Sequence, residues 1–406
     1  LTYLYRDPIL DRNTVSAATI TIPGRENVIQ EIMTRQERFE AAVRLEVPDR
    51  VPVMPLMTAF AVRAQGMTQG EGWRETEKGF EAMRKTFYDL GGFDRLYKPN
   101  LFWPMIGGRF CAAPVRVLIP GRHLPEDALN QIDERELFGR EHYDRIASLG
   151  WNAFWDEHYE VMSGGRSIKH VKMTQDRLLE EYVREVEIYH GEDIHPLFGA
   201  YIDSSIMAFS MARTLTQFTM DLYEVPDKVK AAMDATCDDL IQNALDVIER
   251  TKIPLAFIVL ERGSGFYYRM SVFEEFEWPY LQRYVDAFVS EGITPWLHLD
   301  TDWTLNLPYF KKLPKGKCIA DLDSTTNIFQ AKEILGGHMC ISGDVPASLL
   351  SLGEPEDVRR YCEKLIDEVG KKGGLFLTTG CECPVDAKFD NVKMMIDTAK
   401  GYRGKW

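Results

Sequence analysis

In the C-terminal part of the chain, short apolar runs each stop at a residue able to do chemistry. Residues 253–260 stop at Glu261, 293–297 at His298 and Asp300, 318–322 at Asp323, 339–342 at Gly343-Asp344, and 375–379 at Gly380-Cys381. Short apolar runs bounded in this way read as buried strands. Helical patterns fill the gaps at 272–291, 303–311, 327–335, 355–371 and 390–400. Strands alternating with helices imply parallel pairing through helical crossovers. Functional groups gathered at the C-terminal strand ends are the pattern of a (β/α)8 barrel, whose active site is built from its strand-to-helix loops. The expected class is therefore α/β, a (β/α)8 TIM barrel.

Upstream the pattern is less regular. Residues 1–34 show no strong helical period and read as an N-terminal extension, an arm over the barrel or a neighbouring subunit that hints at a homodimer. Residues 35–406 are expected to form the barrel domain, with inserted helices. Thr34-Arg35-Gln36-Glu37 is a capping box and opens a helix over 35–45. Pro48-Asp49-Arg50 turns the chain into a first strand over 51–57. Helices are expected at 72–90, 126–148, 174–190, 204–222 and 226–250, and a strand at 195–202. Residues 91–125, rich in Gly, Pro and Trp, read as a connection.

The length of 406 residues fits a barrel enlarged by insertions, and 45% hydrophobic residues supply a large core. A formal net charge of −14 argues against nucleic acid as a partner, since phosphate binding needs a basic face. No stretch approaches the roughly 20 apolar residues of a membrane span, so no membrane partner is expected. Leu1-Thr2-Tyr3-Leu4-Tyr5-Arg6-Asp7 lacks the basic and apolar regions of a signal peptide. The seven cysteines, at 111, 237, 318, 340, 362, 381 and 383, are odd in number and scattered, which suits a reducing cytoplasm.

His298 and Asp300 sit two apart at a strand end, so both side chains point the same way and can reach one ion. Cys381 follows Gly380, which lets the backbone turn sharply at the end of a later strand. A thiolate with an imidazole favours zinc. Glu261, at another strand end, is the candidate fourth ligand and a candidate catalytic carboxylate. Taken singly, a His-x-Asp is a common surface pattern and a cysteine is more often a small buried hydrophobe. Their coincidence at barrel strand ends is what favours a metal. Cys383 makes a Cys-x-Cys with Cys381 but lies further into the loop. His338 and Cys340 begin a strand and read as structural. Asp203, just after the strand at 195–202, could orient His298 or a substrate hydroxyl. Asp323 and Asp344 could take the second imidazole N–H of a metal-bound histidine. Arg262 and Arg269 could bind a substrate carboxylate or pair with surface acids.

Several motifs together resemble the uroporphyrinogen decarboxylase superfamily over roughly residues 34–400. They are Arg35-Gln36-Glu37-Arg38-Phe39 leading to Pro48-Asp49-Arg50-Val51-Pro52-Val53, then Ser342-Gly343-Asp344-Val345-Pro346, then Gly373-Gly374-Leu375-Phe376-Leu377-Thr378-Thr379-Gly380-Cys381. The resemblance implies a TIM barrel and one of two chemistries. Metal-free decarboxylases of this superfamily carry Arg-Gln-Ala-Gly-Arg after the first strand; here the position reads Met57-Thr58-Ala59-Phe60-Ala61-Val62-Arg63. Cobalamin-dependent methyltransferases of the other branch use a zinc site of the form His-x-Cys with a later Gly-Cys. His298 and Cys381 match that pattern, and Asp300 replaces its first cysteine.

A carboxylate there makes the ligand set harder and the zinc a better Lewis acid toward oxygen. The resemblance thus implies the methyltransferase component of an O-demethylase system. It would move a methyl group from a small aryl methyl ether to the Co(I) corrinoid (cobalamin) of a separate protein. Base-off corrinoid domains carry Asp-x-His-x-x-Gly, and no histidine here has that context, so a corrinoid protein is the implied partner. Tyr267 or its neighbour Tyr268 could donate to the leaving oxygen. Phe102-Trp103-Pro104-Met105, Phe154-Trp155 and Phe266-Tyr267-Tyr268 could line the pocket or pack as core. The competing readings are methyl transfer from a methyl-corrinoid to a thiol, a metal-free decarboxylase, and a non-catalytic tetrapyrrole-binding barrel.

Overall fold

A computed structural model of the protein describes residues 31–97, 115–162, 165 and 167–404. The expected arm lies almost wholly outside the described residues, as do Phe102-Trp103-Pro104-Met105 and Cys111. The described strands, in chain order, are β1 (Val53–Met54), β2 (Arg116–Leu118), β3 (Gln131–Asp133), β4 (Ala200–Asp203), β5 (Leu255–Val259), β6 (Thr294–Leu299), β7 (Ile319–Leu322), β8 (Cys340–Val345) and β9 (Leu375–Thr379). Seven form one parallel sheet in the order β1-β9-β8-β7-β6-β5-β4. The β5–β9 strands are fully buried apart from Thr294, as parallel strands covered on both faces must be.

Residues 94–97 fill the gap between β1 and β4. The Asp94 amide donates to the Val53 carbonyl (2.9 Å), the Leu96 amide to His195 (2.9 Å) and the Leu197 amide to Leu96 (2.7 Å), making a parallel bridge from Leu96 to Pro196. The ring of eight positions is thereby complete, and the fold is the expected TIM barrel. This strand falls in the segment read as a connection from sequence. It is too short, and too full of Asp94 and Arg95, to show an apolar period.

The helix Arg35–Val43 covers the N-terminal end of the barrel. Its capping box is present: the Glu37 amide donates to the Thr34 hydroxyl, and the Thr34 amide to the Glu37 carboxylate. Phe39 packs edge-on against Phe376 (5.7 Å between ring centres), which in turn meets Trp296 (5.6 Å) inside the barrel. Beside it, buried Arg38 donates to Asp49 and Asp94, and Arg50 makes two bonds to Asp94 (2.7 and 3.0 Å). Burial alone would raise the Asp94 carboxyl; Arg50 and Arg38 outweigh it and hold the group below its usual range.

Several expected helices differ. Residues 126–148 contain no single helix: Gln131–Asp133 pairs antiparallel with Arg116–Leu118, and only Tyr143–Leu149 is α-helical. A strand partner some distance along the chain supplies hydrogen bonds that local periodicity cannot reveal. The stretch 204–222 breaks at Thr214, which has φ +65°. The stretch 272–291 breaks at Glu277, because Pro279 sits in the first turn of the next helix, where a missing N–H costs nothing. The helix Trp151–Met162 was not expected from sequence.

Candidate metal centre

β6 and β9 are separated by two strands in the sheet, so groups at their ends can meet only across the mouth of a closed ring. They do meet. The ligand atoms of His298, Asp300 and Cys381 all lie within 4.8 Å of one another. His298 Nε2 is 3.7 Å from Cys381 Sγ and 3.4 Å from Asp300 Oδ1. Asp300 Oδ1 is buried and has no hydrogen-bond partner. A buried carboxylate oxygen without a hydrogen bond is costly unless a cation or donor meets it. Cys381 as a residue is exposed on the rim, yet its sulfur turns inward to the imidazole.

Gly380 has a different job from the one its position suggested. Its backbone is not in the left-handed region. It is needed because a Cβ there would lie 2.9 Å from the Asp323 carbonyl oxygen, too close to tolerate. The absent side chain lets β9 approach the β7 loop and brings Cys381 over the mouth.

The carboxylate that orients His298 is Asp321. Its Oδ2 is 2.7 Å from Nδ1, and the two residues are register partners in the β6–β7 pair. Nδ1 is thus held by Asp321 while Nε2 faces Asp300 and Cys381. Asp321 is not among the sequence candidates because it lies inside the apolar run 318–322 and not at its end. An acid in mid-strand, two residues before Asp323 on the same face, was the available signal. Burial opposes charge on His298. Asp300's charge and the bonds to Asp321 and Cys381 outweigh burial and hold the imidazole well above its usual range. Burial raises the Cys381 thiol, against the pull of His298.

The other expected residues are distributed as follows. Asp323 accepts from the Thr301 amide (2.7 Å) and the Thr325 amide (2.8 Å), tying the β6 and β7 loops together without reaching His298. Asp344 accepts from the Tyr361 hydroxyl (2.8 Å). Asp203, 4% exposed at the end of β4, meets the Tyr201 hydroxyl. Glu261 is not part of the three-ligand cluster; its charge bears on Tyr201, as do those of Asp203 and Asp300. Tyr267 is 40% exposed beside Phe266, and Tyr268 is buried with its hydroxyl 3.1 Å from that of Thr219. Arg262 is bound to Glu134 (2.6 Å), and Arg269 lies over Tyr223. His338 Nε2 donates to the Leu313 carbonyl (2.9 Å) at the barrel's far end, and Cys340 is buried, consistent with structural roles. Cys383 is buried and its amide bonds Leu56.

Two tyrosines at the mouth were not singled out from sequence. The Tyr201 ring stacks on Phe257, whose centre is 5.0 Å from the His298 ring. Tyr97, on the eighth strand position, meets Phe257 edge-on and feels the charges of Glu382 and Cys381. Burial raises both phenols well above their ordinary value. The period of two along β4 places Tyr201 on the face of Asp203 and could have found it. Tyr97 had no such signal.

The family model for uroporphyrinogen decarboxylase (URO-D) matches residues 173–402, more than half of the chain. The chain belongs to the URO-D family. Among solved structures, this family member is similar to a methyltransferase from Methanosarcina mazei. The identity is 13%, the TM-score is 0.68, and the match covers 91% of this chain and 99% of that one. A likeness at that identity concerns the fold. No curated protein sequence gives a significant match. Within this URO-D member, Arg63 is exposed on the helix Ala59–Ala64, after the first barrel strand. No helix among the described residues is long and apolar enough to cross a membrane.

Proposed function

We propose that this protein is a zinc-dependent methyltransferase that takes a methyl group from a small aryl methyl ether and passes it to the Co(I) corrinoid of a separate protein. The observation that carries this reading is the cluster of His298, Asp300 and Cys381, in which a buried Asp300 oxygen faces the imidazole but makes no hydrogen bond among the described residues. An imidazole, a carboxylate and a thiolate suit zinc, and their charges balance a divalent ion. Three protein ligands leave one position for a substrate atom. A zinc ion so held would act as a Lewis acid on the ether oxygen and stabilise the departing phenolate. The similar structure from Methanosarcina mazei, called a methyltransferase, supports the same branch.

The chain's own residues supply the rest. Asp321 fixes the ring of His298 so that Nε2 faces the other two ligands. Tyr201, whose hydroxyl meets Asp203 and which feels the charges of Glu261 and Asp300, would donate a proton to the leaving oxygen in preference to the exposed Tyr267. The apolar faces of Phe257, Tyr97 and Tyr201 offer an aromatic wall beside the triad. Asp300 in place of a second thiolate favours an oxygen substrate over a thiol.

Elemental mass spectrometry of the purified protein, beside Cys381→Ala, is the first test. About one zinc per chain, lost in the variant, is expected for a three-ligand site. Methoxyarenes should then transfer methyl to a reduced corrinoid acceptor. Protein purified without chelators that holds no zinc, and takes none up, would remove the basis of this reading.

A further inference from the structure

Between β2–β3 and the helices Trp151–Met162, Ile168–Gly191 and Pro226–Thr251 lies a cavity of about 800 Å³. None of the metal-centre side chains lines it. Most of its wall comes from residues 115–172, which precede the family match beginning at 173. This wall belongs to the insertion between residues 94–97 and β4, and ring closure does not require it.

The floor is apolar and aromatic. Trp155 is 7% exposed, and Leu178, Leu179 and Val247 are buried around it. Among the described residues the buried Trp155 Nε1 donor has no hydrogen-bond partner. A buried indole N–H ordinarily finds an acceptor, so the floor is one acceptor short. Asn152 and Asn243 exchange amide hydrogen bonds (3.0 and 2.9 Å) and hold two of the walls together.

The rim is cationic although the chain carries a net charge of −14. Two of its cations are committed: Arg116 faces Asp133 at 3.6 Å, and Lys172 pairs with Asp156. Arg122 and Arg250 are exposed and make no ion pair among the described residues. The acid beside them, Asp246, accepts from Gln242. A volume within the roughly 300–1,000 Å³ of ligand sites, an apolar aromatic floor and a few convergent polar groups are the features of a small-molecule pocket. Guanidinium groups at the rim select a carboxylate, sulfonate or phosphate.

We propose that this cavity is a second binding site, separate from the metal centre, for a small aromatic anion whose ring lies against Trp155 and whose charge meets Arg122 and Arg250. The test uses 1-naphthyl phosphate, 1-naphthol and inorganic phosphate as probes, titrated calorimetrically into the zinc-loaded full chain. One site for 1-naphthyl phosphate is expected, with each of the other two probes at least about tenfold weaker. The double variant Arg122→Ala/Arg250→Ala, which changes only exposed side chains, should weaken 1-naphthyl phosphate at least about tenfold with an unchanged melting temperature. Cys381→Ala should leave that binding intact. Any of four results overturns the proposal: no binding at millimolar probe, equal binding of the uncharged or ring-free probe, binding indifferent to the double variant, or binding lost in Cys381→Ala.

Discussion

At the scale of single residues, the candidate metal centre has a histidine held from behind. Asp321 is buried and its Oδ2 meets His298 Nδ1 at 2.7 Å, so Asp321→Asn, close to it in size, should leave the fold standing and lower zinc affinity roughly 10–100-fold. Competition against a chelator of known affinity measures this; an unchanged affinity would show that the ligands orient themselves. A second buried acid controls stability instead. Glu277 is wholly buried, accepts from the Ile206 amide, and has one oxygen without a partner. Burial pushes its carboxyl up from 4.5 to about 7, against the pull of Ser204 and Ile206. The folded state therefore keeps a proton that the unfolded chain releases. Stability is greatest below the unfolded value and is lost as pH rises through about 7, by up to about 3 kcal/mol. Glu277→Gln should abolish that loss. Urea unfolding at about pH 5.5 and about pH 8 should show the variant gaining on the parent at the higher pH; a pH-independent difference sinks the idea. At this scale the cluster of His298, Asp300 and Cys381 was legible as a candidate, because each member follows an apolar run. Asp321 and Tyr97 were not, since their roles depend on which strand lies alongside.

At the scale of elements, the N-terminal helix and the eighth strand position are joined through one carboxylate. Asp94 receives Arg38, Arg50 and the Val53 amide (2.8 Å), so it links the helix Arg35–Val43, the start of β1 and residues 94–97. Asp94→Ala leaves two buried guanidinium groups without their shared partner. A loss of about 3–5 kcal/mol is expected from breaking such a buried pair, read as a lowered urea midpoint with zinc-binding residues untouched. A loss below about 1 kcal/mol would mean that Asp49 alone satisfies Arg38. The capping box of this helix could be read directly from Thr34 and Glu37, because it is local chemistry. The hairpin β2–β3 could not, because its hydrogen-bond partners lie apart in the chain.

For the whole molecule, the ring makes the site. His298 and Asp300 come from β6 and its C-terminal end and Cys381 from the end of β9, and an ion bound to all three would staple two non-adjacent strands together. Zinc at roughly 1,000 times its dissociation constant should therefore stabilise the fold by about 4 kcal/mol. A rise in melting temperature that Cys381→Ala abolishes is the expected sign; a rise that survives in the variant would place the ion elsewhere. The sequence by itself determined the class of fold, the order of the later strands and the three candidate residues at their ends, because periodicity, strand ends and residue chemistry are local properties. Only the tertiary structure decided that residues 94–97 close the ring, that Asp321 and not Asp203 orients the histidine, that Arg262 is spent on Glu134, and that an insertion encloses a cavity. Those outcomes depend on which distant segments pack together, and a pattern read along one strand or helix carries no record of its neighbours.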